Sequence, residues 1–124
     1  MVSAQEDARA LYKEISKMEL VANSVTYCAM IDGYFKLGRV DEALEIFDEF
    51  RRTSISSVEC YRCIINRLCK KGMVDMATEV FIELKEKGFG LDLGIYKILI
   101  KTTYAKEGVF GVLDLVHIIK SLGP

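Results

Sequence analysis

Thiols are the most reactive side chains in this sequence, and they are crowded. Cys60-x-x-Cys63 is followed by Cys69, with Cys28 upstream and the one histidine, His117, far downstream. Thiolate and imidazole are preferred zinc ligands, but a structural site wants four of them folded around the metal. The three clustered cysteines fall on one expected helix, where only Cys60 and Cys63 share a face. His117 stands apart among Val116, Ile118 and Ile119. The cysteines therefore read as small core residues and His117 as a core or interface histidine, with no metal and no cofactor expected. Three cysteines in one short segment do not make a disulfide framework, which points to a reducing compartment. The acids Asp41-Glu42, Glu45 and Asp48-Glu49 are spaced as a solvated helix face and not as a dyad with split pKa values. No nucleophile–base pair, P-loop or dinucleotide fingerprint occurs, so the reading is a protein that is not an enzyme.

Whatever positions these residues must be small. The chain has 124 residues, enough for one domain or a few short repeats. It is 51% apolar and 28% charged with a single proline, a balance that excludes a disordered or collagen-like chain. Seventeen Lys and Arg against eighteen Asp and Glu leave a net charge of -1, so any polyanion site must be local. Charges interrupt every apolar stretch before the roughly 18 residues a membrane helix needs, and no membrane partner is expected. Glu6, Asp7, Glu14 and Glu19 contradict an acidic-poor transit peptide, and no apolar signal core is present. The expectation is that the chain needs no targeting or that its targeting region has been cut away.

Laid over itself, the sequence repeats every 34 to 35 residues. Tyr27-Cys-Ala-Met-Ile31 returns as Tyr61-Arg-Cys-Ile-Ile65 and as Tyr96-Lys-Ile-Leu-Ile100. Lys36-Leu-Gly-Arg-Val-Asp-Glu-Ala43 returns as Lys70-Lys-Gly-Met-Val-Asp-Met-Ala77, and Phe47 matches Phe81. Asp7-Ala8, Tyr12 and Ile15 repeat Glu42-Ala43, Phe47 and Phe50, while Val109, Val112, Val116 and Ile119 follow Val74, Ala77, Phe81 and Leu84. A fixed period of this length decides the architecture before local propensity does. Tyr27, Met30, Ile31 and Tyr34 have helical spacing, as do Val40, Ala43, Leu44 and Phe47, so each unit is two helices. Gly38 and Gly72 suit left-handed caps after first helices, Gly88 and Gly123 close second ones, and Asp41, Glu42 and Asp75 complement the following helix N-termini. Ser3 and Glu6 form a capping-box pattern. Seven helices are expected, near 5–19, 24–37, 40–52, 58–71, 74–87, 93–106 and 109–122. The expected fold is an all-α, right-handed α-solenoid of about three and a half helix-turn-helix repeats. Residues 1–23 supply the second helix of a truncated repeat, followed by repeats at 24–57, 58–92 and 93–124.

The run from Val25 through Lys36-Leu-Gly-Arg-Val-Asp-Glu-Ala43 to Phe50 resembles a pentatricopeptide repeat of the pure, plant-organelle type. The related tetratricopeptide repeat wants a tryptophan in the first helix and a small residue where Phe50, Leu84 and Ile119 stand, and the chain has no tryptophan. The resemblance implies binding of single-stranded RNA, one base per repeat, in organelle RNA processing, stability or translation. It implies a mitochondrial or chloroplast location, the mitochondrion slightly preferred. Its base-reading positions map to Cys28 with Ser57, to Arg62 with Asp92 and to Lys97, with Asn23 ending the opening half-unit. Cysteine, arginine and lysine depart from the Asn, Ser or Thr usual at the first of these positions. The base-sandwiching positions are Val25, Glu59 and Gly94, of which Val25 alone is aliphatic. A phosphate-contacting lysine maps to Lys36 and Lys70, and to Lys106 if one residue is inserted in the third unit.

Each assignment has a plainer counterpart. Lys36 and Lys70 suit helix C-termini whatever else they do, Arg62 can pair with Glu59 one turn away, and Lys97 can pair with a neighbouring acid. Tyr27, Tyr61 and Tyr96 open the apolar stripes and read as core residues more readily than as base-stacking platforms. A peptide-binding solenoid of the tetratricopeptide-like kind, or a structural spacer in a longer array, are the alternative functions. Neither end carries a polar cap. Leu11, Tyr12, Ile15 and Met18 on the opening helix, and Val109, Phe110, Val112, Leu113, Leu115, Val116, Ile118, Ile119 and Leu122 around most of the closing one, should meet neighbouring repeats of a longer parent or drive self-association of the isolated chain.

Overall fold

The structure, a computed structural model, describes residues 7–11, 13, 24–53, 58–90 and 92–123. Through these run the helices α1 Ser24–Lys36, α2 Val40–Arg51, α3 Val58–Lys70, α4 Val74–Glu86 and α5 Leu93–Ser121. Residues 7–11 and 13 are also helical, and no strand occurs among the described residues. The chain divides into two compact units, residues 1–64 and 65–124, with the boundary falling inside α3.

In the first unit α1 packs on α2 around an aromatic core. Tyr27, Phe47, Phe50 and Tyr61 are all buried. Phe50 meets Tyr27 edge-on at 5.5 Å between ring centroids and Tyr61 at 5.9 Å, and Phe47 meets Tyr61 at 5.4 Å. Such offset and edge contacts add about 0.5–1.5 kcal/mol each beyond burial. The tyrosines at 27 and 61 are thus core residues, whereas Tyr96 is half-buried and stacks on Phe81 at 6.2 Å. Met30, Ile31, Ala43, Ile46 and Ile64 fill the remaining space.

Turns after the first helices are alike. The N–H of Arg39 donates to Tyr34 O at 2.8 Å and that of Gly38 to Phe35 O at 3.0 Å; Met73 and Gly72 repeat both bonds to Leu68 and Cys69. This is a Schellman closure, which needs positive φ at its glycine, and Gly38 and Gly72 both have φ 75°.

The second unit has an aliphatic core in which Leu68, Val80, Leu84, Leu99, Leu115 and Ile119 are buried with Phe81. Its closing element, α5, is the two expected helices joined end to end across a kink. The span Leu93–Ser121 leaves the helical conformation at Gly108, with φ 73° and ψ -161°, and the chain turns there from a first helical limb into a second. Only glycine reaches that conformation without cost. The buried side of the second limb is Gly111, Leu115 and Ile119; Ile119 was expected there, but Gly111 and Leu115 take the places expected for Val112 and Val116, and Val109 is exposed. A Cβ on Gly111 would come within 2.5 Å of Glu107 Cβ and 3.3 Å of Thr103 Cγ2, so the missing side chain fixes the register. His117 sits two residues from both Leu115 and Ile119, which at 100° per residue turns it away from them. It is exposed, and the core reading is corrected. On the open side Val109, Phe110, Leu113 and Ile118 are exposed, Phe110 at 80%. Leu11 is exposed as well, while Tyr12, Ile15 and Met18 lie outside the described residues.

Candidate nucleic-acid interface

A helix brings positions i, i+3, i+7 and i+11 onto one stripe. On α1 these are Val25, Cys28, Asp32 and Lys36; on α3 they are Glu59, Arg62, Asn66 and Lys70; on α5 they are Gly94, Lys97 and Lys101. The stripe lies off the buried face of each helix, since Val25 is 72% exposed and Glu59, Arg62, Gly94, Lys97, Lys101, Lys36 and Lys70 are not buried either. Cys28, Asp32 and Asn66 are half-buried. Sequence reasoning overlooked Lys101. Its signal was its place in the period, one repeat after Asn66 and two after Asp32.

The cations on this stripe are not equally available. Arg62 Nη1 is 2.9 Å from Glu59 Oε1, and Lys36 Nζ is 3.1 Å from Asp32 Oδ2. None of the ion pairs among the described residues involves Lys70, Lys97 or Lys101. Lys106 is exposed, and its ammonium donates to the carbonyl of Gly72 at 2.7 Å, tying the first limb of α5 to the turn after α3. Asp92 caps α5, its carboxylate accepting from Ile95 N at 3.1 Å. A Cβ on Gly94 would lie 3.2 Å from that carboxylate. Asn23 and Ser57 lie outside the described residues.

All four cysteines stand as thiols. Cys60 and Cys69 are buried, as expected of core residues, but Cys28 and Cys63 are half-buried and gather at Cys60. Cys28 Sγ is 3.1 Å from Cys60 Sγ, and the Cys63 thiol points at Cys28 O at 3.9 Å. Burial pushes the Cys60 thiol far up from its ordinary value, with the Cys28 contact adding to the effect. Burial also raises Cys69, against an opposing hydrogen bond with Thr102. Among the described residues no group of three or more His, Cys, Asp or Glu is arranged to hold a metal ion. No helix there is long and apolar enough to cross a membrane.

The PPR repeat pattern matches residues 18–51 and again 59–89, together just over half of the chain. A mitochondrial pentatricopeptide repeat-containing protein of Arabidopsis thaliana is 27% identical over 105 residues, covering 84% of this chain and 25% of the relative. A chloroplastic one from the same plant is 29% identical over 91 residues, 73% of this chain and 16% of the relative. Small ribosomal subunit protein mL103 of Arabidopsis is 25% identical over 116 residues, 91% of this chain and 28% of its own. Among solved structures, the pentatricopeptide repeat protein PPR10 in complex with an 18-nt psaJ RNA element superposes with a TM-score of 0.67 at 23% identity. That match covers 97% of this chain and 18% of PPR10, and it establishes the α-solenoid fold. The chain spans less than a third of the length of each of these relatives.

Proposed function

Because the chain belongs to the pentatricopeptide-repeat family, we propose that it is a segment of a single-stranded-RNA-binding array, working in organelle RNA processing, stability or translation. The observation that carries the reading is the exposed polar stripe that recurs at the repeat period on α1, α3 and α5. In it Cys28, Arg62 and Lys97 take the base-reading position and Val25, with its exposed aliphatic side chain, sandwiches a base. Lys36, Lys70 and the added Lys101 meet phosphates, each neutralised charge releasing counterions. Lys106 and Asp92 contribute through the structure they hold, the turn at Gly72 and the start of α5. Repeat boundaries at 24–57, 58–92 and 93–124 belong to the same reading. So does an organellar location, supported by relatives named mitochondrial and chloroplastic. The protein supplies binding and no chemical step.

The exposed Val109, Phe110, Leu113 and Ile118 suit the next repeat of a longer parent, and in the isolated chain a second copy. One observation favours a peptide-binding alternative. In the second unit a cleft of about 380 Å³ carries Asp75, Glu79, Glu107 and Asp114 around the buried Thr103, whose hydroxyl has no hydrogen-bond partner. That lining suits a basic peptide. Fluorescence anisotropy of mixed-sequence single-stranded RNA against Lys36→Glu/Lys70→Glu tests the main reading. Weaker binding by the double variant supports it; equal binding, or capture of basic peptides where RNA gives none, overturns it.

A further inference from the structure

Two of the cysteines are placed for a reaction that the RNA reading does not use. Cys28 is on α1 and Cys60 on α3, 32 positions apart, yet their sulfurs are 3.1 Å from each other. A disulfide needs about 2.05 Å, so closing one requires an approach of about 1 Å between the sulfurs. The two thiols also differ in access. Cys60 is fully buried and its thiol donates to Ser24 O at 3.3 Å, whereas Cys28 is half-buried and reachable from solvent. This division is that of an attacking thiol and a resolving thiol.

We propose that Cys28 and Cys60 form a reversible disulfide site, closed by a low-molecular-weight disulfide such as glutathione disulfide, that ties α1 to α3. Cys28 thiolate attacks one sulfur of glutathione disulfide, a Cys28–glutathione bond forms, and glutathione leaves as thiolate and takes up a proton. Cys60 then gives its proton to solvent and attacks the Cys28 sulfur, forming the Cys28–Cys60 bond and expelling the second glutathione. Two protein thiols are oxidised and one glutathione disulfide is reduced to two glutathiones. Burial of Cys60 keeps it from meeting the oxidant itself and holds it as a thiol until Cys28 is capped. The bond would close a loop containing α2 and the link to α3, and it would consume the thiol at the base-reading position. The bridge stands on the sulfur geometry and is independent of whether RNA binds.

The test equilibrates the reduced chain in glutathione buffers of increasing oxidation, quenches with acid and alkylates the remaining thiols. Trypsin separates Cys60 from Cys63 at Arg62, so the bridge reads as peptide 18–36 linked to peptide 53–62. The expected result is loss of two hydrogens in intact mass, no retained glutathione, that linked pair, and an upward shift of several degrees in Tm. Cys63→Ser should bridge as wild type does, and Cys60→Ser should stop at a glutathione adduct on Cys28. A stable glutathione adduct in wild type, a Cys28–Cys63 link, or four alkylated thiols at the most oxidising ratio each overturn the proposal. Wild-type peptide mapping decides the matter even if a variant fails to fold.

Discussion

The two halves of the chain use the same repeat differently. Residues 1–64 are held by four interlocking aromatic rings, and both stripe cations there are paired to acids a turn away. Residues 65–124 are held mainly by aliphatic side chains around a glycine-fixed register, and Lys70, Lys97 and Lys101 carry no ion pair among the described residues. Exposed ion pairs are worth only about 0–1 kcal/mol, but a cation already facing a carboxylate offers less net charge to a phosphate. On the proposed RNA-binding reading, the first unit is therefore mainly scaffold and the second the stronger electrostatic contributor. A shared backbone period constrains neither property.

The largest effect expected is on the aromatic core. Phe50→Ala should cost about 3–5 kcal/mol, read as a drop in urea midpoint, because it empties a site touching Tyr27, Phe47 and Tyr61. An equal loss from Leu84→Ala would erase the contrast between the cores. Next comes Gly111→Ala, which should cost about 1–3 kcal/mol through overpacking against Glu107 and Thr103 and leave the first unit's hydrogen exchange unchanged. Lys97→Glu/Lys101→Glu should weaken single-stranded RNA binding about tenfold and make the log–log salt slope shallower by about 0.7 for each phosphate no longer neutralised. Lys36→Glu alone should do less. A reversed order would mean that Asp32 does not shield Lys36.

Smaller still is the effect of pH. Cys60 is raised in the folded chain, so its contribution to stability is complete below the ordinary thiol value near 9.0. That contribution declines as pH rises above it, because the unfolded chain ionises its thiols first. The urea midpoint should fall more between pH 8 and pH 10 for wild type than for Cys60→Ala.

Local periodicity made the helices legible. The expected spans 24–37, 40–52, 58–71 and 74–87 differ from α1 to α4 by one residue at their C-terminal ends. Gly38 and Gly72 announced their turns because the Schellman closure demands a residue with positive φ. Legibility failed where one residue shifted the register. The second limb of α5 buries Gly111 and Leu115, each one position ahead of the residue that a constant offset of 35 from Ala77 and Phe81 picks out, so Val112 and Val116 were expected in their place, and His117 was read as a core residue from its apolar neighbours. Hydrogen bonds and sulfur contacts between helices were also hidden. Neither the Lys106–Gly72 bond nor the Cys28–Cys60 approach follows from the pattern of a single helix. Of the candidate stripe, the residue types and the Arg62–Glu59 pair were visible from helical spacing, but the Lys36–Asp32 pair and the lack of an ion pair at Lys97 among the described residues depended on rotamers that only packing selects.

The proposed RNA binding draws its strongest electrostatic contribution from the second unit. It is tested most directly by anisotropy titrations of one single-stranded RNA and its duplex across a salt series, for wild type and Lys97→Glu/Lys101→Glu. Weak, single-strand-selective binding that falls with salt is expected, with a shallower slope for the variant. Equal affinity for duplex and single strand, or a slope that the variant leaves unchanged, would contradict it.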